Sequence, residues 1–177
     1  MSKNLVTEAH KLLKRARIKN PPVSVDKIAA ILKAQLSFEP FEGEDAISGM
    51  LYRDEKQTII GINSSHGRPR QRFTIAHEIG HLVLHKGELF VDQGVRLNFR
   101  DKRSSLAEDQ QEIEANKFAA ELLMPEEMIR QEVQKCTTKK KITTEDQLMS
   151  ELARVFDVSE QAMGYRLFNL GIISSPS

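Results

Sequence analysis

Hydrophobic residues recur at helical spacing near the start of the chain. Leu5, Ala9, Leu12, Leu13 and Ala16 share one face of a polar, basic background, which predicts an amphipathic helix over about residues 5–16. Pro21-Pro22 stops it. Ser24 is placed to cap a second helix, with Lys27 rather than a glutamate where a capping box would be completed, and Ile28, Ala29, Ile31 and Leu32 supply its apolar face. Leu36-Ser37-Phe38 alternates as a short strand does, and Gly43-Glu44-Asp45 breaks it. Residues 47–52 and 58–62 are β-branched or apolar runs joined by a polar stretch, so an antiparallel hairpin is expected.

Gly67-Arg68-Pro69 opens the next element, with proline near the first turn, where its missing N–H costs little. No clear breaker follows from 71 to 85, and Gly87 lies where a C-terminal cap would fall. Phe73, Ile75, Ala76, Ile79, Leu82, Val83 and Leu84 surround this helix almost completely, which predicts a buried central element. Residues 95–100 alternate as another short strand would. A polar stretch, 101–105, leads into a long helix over 106–124, ended by Pro125. A further helix over 126–134 fades into Cys136-Thr137-Thr138-Lys139-Lys140-Lys141, the best linker candidate, and residues 144–171 hold two helical patterns divided at Asp157-Val158-Ser159. The expectation is an α+β fold: a main domain over 1–134 with N-terminal helices and a small antiparallel sheet, a linker over 135–143, and a C-terminal helical segment over 144–177.

Composition narrows the function classes. The 177 residues carry 26 Lys+Arg against 25 Asp+Glu, a net charge of +1, which argues against a mainly electrostatic partner such as nucleic acid. Cys136 is the single cysteine, so an internal disulfide framework and a Cys-rich zinc knuckle are excluded. No apolar run approaches the roughly 20 residues that cross a bilayer, and the opening residues lack a stretch of signal-peptide length. No membrane association and a reducing, cytoplasmic setting are expected.

The strongest chemical pattern is His77-Glu78-Ile79-Gly80-His81 within the predicted buried helix. Histidines four apart stand about 40° apart around a helix, with side-chain roots roughly 6 Å from each other. Two imidazoles so placed can meet one Zn²⁺. Glu78 points about 100° away, placed to reach an activated water rather than the metal. It can take a proton from that water and later pass it to a leaving amine. Burying two histidines and a glutamate among apolar residues costs several kcal/mol unless they are partnered, and a metal supplies the partner.

A catalytic zinc site needs a third protein ligand. A continuation with histidine six residues after His81 is absent, because that position is Gly87. His85, one turn further on, is read as a helix-end or supporting residue rather than a ligand, and His66 and His10 as surface residues. The long helix is the better source. Its apolar stripe of Leu122, Ala119, Phe118 and Ala115, extended backwards, reaches Glu112 and then Glu108. Glu112 is therefore the expected third ligand, with Glu108 the next choice, while Glu114, Lys117 and Glu121 fall on the opposite, solvated side. Small Ala115 and Ala119 favour close packing against the histidine helix, and Asn116 either supports a ligand imidazole or is a plain polar surface residue.

The segments 72–81 and 112–125 together resemble the ImmA/IrrE family of metallo-endopeptidases. The likeness extends over most of the chain, from Pro21-Pro22 through Gly49-Met50-Leu51-Tyr52 and Ile62-Asn63 to Arg166-Leu167. The resemblance implies a gluzincin-like minimal metallopeptidase, with His77, His81 and Glu112 holding Zn²⁺ and Glu78 as general base. It also implies a protein substrate of the helix-turn-helix repressor type, whose cleavage derepresses mobile-element, prophage or stress-response genes.

Residues 152–167 resemble a helix-turn-helix, with Ser159 capping its second helix. As a DNA reader this segment is weak, since its second helix offers mainly Gln161, Tyr165, Arg166 and Asn169. Packing or repressor docking is the favoured role. An exposed edge of the 47–62 hairpin could take an extended peptide by strand addition, and Tyr52, His66, Arg72 and Tyr165 are the candidates to stabilise an oxyanion. The alternative class is a DNA- or repressor-binding regulator with a structural or vestigial zinc site.

Overall fold

The computed structural model describes residues 2–41, 47–93, 102–138 and 142–175, and their side chains except those of 2–4, 91–93 and 102–109. The N-terminal pattern folds as α1 (Ser2–Arg15), whose Leu5, Ala9, Leu12 and Leu13 are buried. Ser24 caps α2 (Val25–Ile31) as expected, its side chain accepting from the Lys27 amide. The strand predicted around Leu36 is β1 (Ala34–Glu39), and the hairpin is β2 (Ile47–Arg53) with β3 (Thr58–Asn63), antiparallel with Leu51 opposite Ile60. Asp54 shapes the connection, its Oδ1 accepting from the Lys56 and Gln57 amides at 2.8 Å each.

The sheet differs from the antiparallel one expected. Its order is β1-β3-β2-β4, where β4 is Leu89–Gln93, and β1 runs parallel to β3. Alternation marks a strand but not its partner, and β1 reaches β3 across the intervening hairpin. Both sides of the hairpin are thereby covered, by β1 on β3 and by β4 on β2, so it offers no edge for a peptide. The glycine break at 43–45, the strand expected over 95–100 and Lys139-Lys140-Lys141 lie outside the described residues.

The histidine-bearing helix is α3 (Arg68–Leu84), with Pro69 in its first turn. Arg72 and Thr74 through His81 are all buried, because the helix packs on β2 and β3 and also on α4 (Lys102–Leu123). Its apolar girdle thus reflects cover on more than one side. Gly87 is not its cap: the helix closes at His85 in extended backbone. Its end is instead tied by Arg53, whose guanidinium donates to the carbonyls of Leu82 (3.0 Å), His85 (2.6 Å) and Gly87. A cation there satisfies carbonyls that the helix leaves open and suits its dipole.

Close approach of β2 to α3 depends on Gly49. A Cβ there would overlap Thr74 Cγ2 and stand 3.3 Å from Glu78 Oε1. Thr74 is β-branched, buried and helical, so it has little freedom to turn aside. Gly49→Ala is expected to destabilise the protein by about 1–3 kcal/mol. A lower urea midpoint with unchanged slope would show it, and an unchanged midpoint would contradict this packing.

Helix α4 begins at Lys102, ahead of the expected 106, and α5 (Glu126–Thr138) runs past 134 with Cys136 buried. The C-terminal patterns are α6 (Glu145–Phe156) and α7 (Glu160–Asn169), with Ser159 capping α7 through the Ala162 amide. Leu152, Phe156, Met163 and Leu167 join one core cluster with residues of α1, α3 and α4. Arg166 turns inward, donating to the Met124 carbonyl and to Glu121, which removes it from any face that could read DNA. Among the described residues no helix is long and apolar enough to cross a membrane.

Candidate metal centre

His77 and His81 are each 1% exposed on successive turns of α3, and their Nε2 atoms face each other at 3.0 Å. Glu112 comes from α4, its Oε2 3.3 Å from His77 Nε2 and its Oε1 3.1 Å from His81 Nε2. Potential ligand atoms from the three residues lie within 4.8 Å of one another. Ligands on a tetrahedral Zn²⁺ at about 2.0–2.1 Å would stand about 3.3 Å apart. Two imidazole nitrogens and a carboxylate at this spacing fit such an ion. Burial alone would raise the Glu112 carboxyl, but its contacts with the two histidines outweigh this and hold it far below the ordinary carboxylate range.

Gly80 sets how closely the two helices approach. A Cβ there would lie 3.1 Å from Ala115 Cα and 3.2 Å from Phe118 Cδ1. The glycine within the His-Glu-x-x-His motif therefore brings α4, and Glu112 with it, to the histidines. Glu78 is fully buried beside Gly49 on the β2 side. The side chain of Glu108, the other candidate ligand, lies outside the described residues.

Each histidine is also held from behind. Asn116 Oδ1 lies 3.0 Å from His77 Nδ1, the supporting one of the two roles open to it. His85 Nδ1 lies 3.1 Å from His81 Nδ1, and His85 Nε2 lies 3.2 Å from Glu114 Oε2. Burial pushes the His85 imidazole below its ordinary value, against the pull of Glu114. Phe90 of β4 stacks on the His81 ring at 4.6 Å. Gly87 makes room for that ring, since a Cβ there would lie 2.8 Å from Phe90 Cζ.

Two expected surface carboxylates are corrected. Glu114 pairs with His85 and takes a 2.9 Å bond from Gln110. Glu121 is 6% exposed, bonded to Arg166 and, at 3.0 Å, to His10. One apolar stripe suggests that everything opposite is solvated, but α4 packs against α1 as well as α3, so more than one of its faces is covered.

The other sequence candidates are dispersed. Arg72 is buried and donates to the carbonyls of Val23, Phe156 and Asp157, joining α3 to the end of α6. Burial lowers its pKa while Asp157 opposes the shift. Tyr52 donates to Asp54 at 2.9 Å. The His66 carbonyl accepts from Gln71 at 2.7 Å, and Tyr165 is 53% exposed on α7. The anchoring role of Arg53 escapes sequence reading, because a cation after a strand carries no mark of the helix end it will meet.

Known proteins resemble the chain in sequence or in fold. The chain is 29% identical over 152 residues to "Uncharacterized immunity region protein 2" of Bacillus phage phi105, covering 85% of this chain and 87% of that one. A solved structure described as "Mycobacterium tuberculosis transcriptional regulator" superposes with a TM-score of 0.56 at 15% identity, covering 93% of this chain. The chain spans 46% of that protein's length, and the likeness concerns fold alone. The family model Peptidase_M78, the IrrE N-terminal-like domain, matches residues 30–168, a span that includes both histidines, Glu78 and Glu112. With most of its length inside that model, the chain belongs to the Peptidase_M78 family.

Proposed function

We propose that this protein is a zinc-dependent endopeptidase of gluzincin-like architecture, acting on a regulatory protein of the helix-turn-helix repressor type. The observation that carries the reading is the convergence of His77 Nε2, His81 Nε2 and the Glu112 carboxylate on one point, with Glu78 buried on the same helix. Kinship with a phage immunity-region protein supports the regulatory substrate.

When bound, zinc would polarise the scissile carbonyl and lower the pKa of water to about 7. His77, His81 and Glu112 would hold it. The Glu78 carboxylate takes a proton from the attacking water and returns it to the leaving amine nitrogen. A groove of about 1100 Å³ runs along α3, α4 and α7, lined by Phe73, Asn116, Lys117, Ala120, Val158 and Tyr165. None of His77, Glu78, His81 or Glu112 lines it, so the groove is a face beside the centre and not an opening onto it.

The test is incubation with helix-turn-helix repressors from the same genome, beginning with any that is encoded beside this gene. One defined cut is expected, lost on treatment with chelator and restored by stoichiometric zinc. An intact repressor with the zinc-loaded protein, or a cut indifferent to chelation, would overturn the proposal.

A further inference from the structure

We propose that His85 and Glu114 form a positioning relay that fixes the ring of His81 and keeps its Nε2 lone pair turned to the centre. The inference rests on the reading of His81 as a metal-holding residue. A neutral imidazole has one N–H and one lone pair, and the hydrogen bond made by one nitrogen sets the role of the other. An Nε2 that holds a metal must offer its lone pair, so the hydrogen of His81 sits on Nδ1 and needs an acceptor. The atom placed to accept it is His85 Nδ1, at 3.1 Å. That contact obliges His85 to carry its own hydrogen on Nε2. Facing that nitrogen at 3.2 Å is Glu114 Oε2, a carboxylate oxygen that only accepts. Every donor thus meets an acceptor along the chain from the centre outward, and the reverse order would set a lone pair against the carboxylate.

The relay is built into the packing. His85 is 9% exposed at the end of α3, and Phe90 stacks on His81 at an interplanar angle of 25°, which limits ring rotation. Gln110 donates to the other Glu114 oxygen at 2.9 Å, holding the carboxylate in place. The two histidines are supported differently: an amide oxygen backs His77 directly, whereas a carboxylate backs His81 through a second imidazole. Carboxylate–imidazole support raises ligand basicity and orients the ring, and its loss weakens metal affinity by about 10–100-fold.

The test measures zinc affinity by competition with a chromogenic chelator in the full-length protein. His85→Phe keeps the ring volume but cannot accept, and should weaken zinc by about 10–100-fold while the zinc-free protein keeps its melting temperature. Glu114→Ala should lose affinity in the same direction, and Glu114→Gln, whose amide oxygen still accepts, should restore most of it. In the zinc-loaded wild type the His81 Nδ1–H proton should be slow to exchange by NMR, and it should exchange fast in His85→Phe. Affinity and exchange unchanged in His85→Phe, while His81→Ala loses zinc, would overturn the relay alone. Zinc held at wild-type affinity by His81→Ala would overturn the centre itself and the relay with it.

Discussion

Glu78→Gln is expected to keep its fold and its zinc while cutting its protein partner about 10²–10⁴-fold more slowly. The side chain of Glu78, next in sequence to His77, is wholly buried, and its Oε1 lies beside Gly49 of β2. Glutamine preserves that volume, so the tight contact of α3 with the sheet survives. It cannot take a proton at the position of the carboxylate oxygen, and only that function is removed. Alanine would be a poorer probe, because the cavity it leaves can weaken the fold by itself. The reading is checked by following the repressor fragments by mass spectrometry alongside zinc content and melting temperature. Undiminished cleavage by a zinc-loaded Glu78→Gln protein would remove Glu78 from the chemistry. A purely structural metal would predict no cut by either protein, since such a site has no use for an acid/base carboxylate between its histidines.

Much of this architecture is legible from local pattern. Four-residue spacing places His77 and His81 on one helix face, and an apolar stripe traced back from Leu122 reaches Glu112, the carboxylate that the structure brings to them. The capping roles of Ser24 and Ser159 follow from residue type and position, and both are observed. What local pattern lacks is partnership over distance. The parallel pairing of β1 with β3 skips a strand and cannot be deduced from alternation at Leu36-Ser37-Phe38. Arg72 reads as a candidate to stabilise an oxyanion, Arg166 as a weak DNA contact and Arg53 only as part of a polar connection, yet each ends on backbone carbonyls of a distant element. Gly80 and Gly87 carry their meaning only once Ala115, Phe118 and Phe90 are placed opposite them. The misreading of Glu114 and Glu121 has the same root: periodicity describes one face of α4, whereas tertiary packing covers several.

Glu112→Ala should have the largest effect on the metal, lowering zinc affinity by more than about 100-fold, beyond the range seen when only a supporting residue is lost. In the proposed centre the carboxylate is both the third donor and the anion facing two buried imidazoles, and nothing among the described residues stands in for it: the grouping there that could hold a metal is His77, His81 and Glu112 alone. Its side chain is 30% exposed, so truncation removes little packing, and the fold should persist. Glu114→Ala makes the informative contrast. Periodicity places Glu114 on a solvated face, which would make that substitution silent. The observed pairing with His85 instead predicts a graded loss, smaller than that of Glu112→Ala because both imidazoles and the Glu112 carboxylate remain. Zinc content by atomic emission, with affinity from chelator competition, separates the two variants. Glu112→Ala binding zinc like the wild type while Glu114→Ala does not would show that the wrong face of α4 has been assigned to the metal.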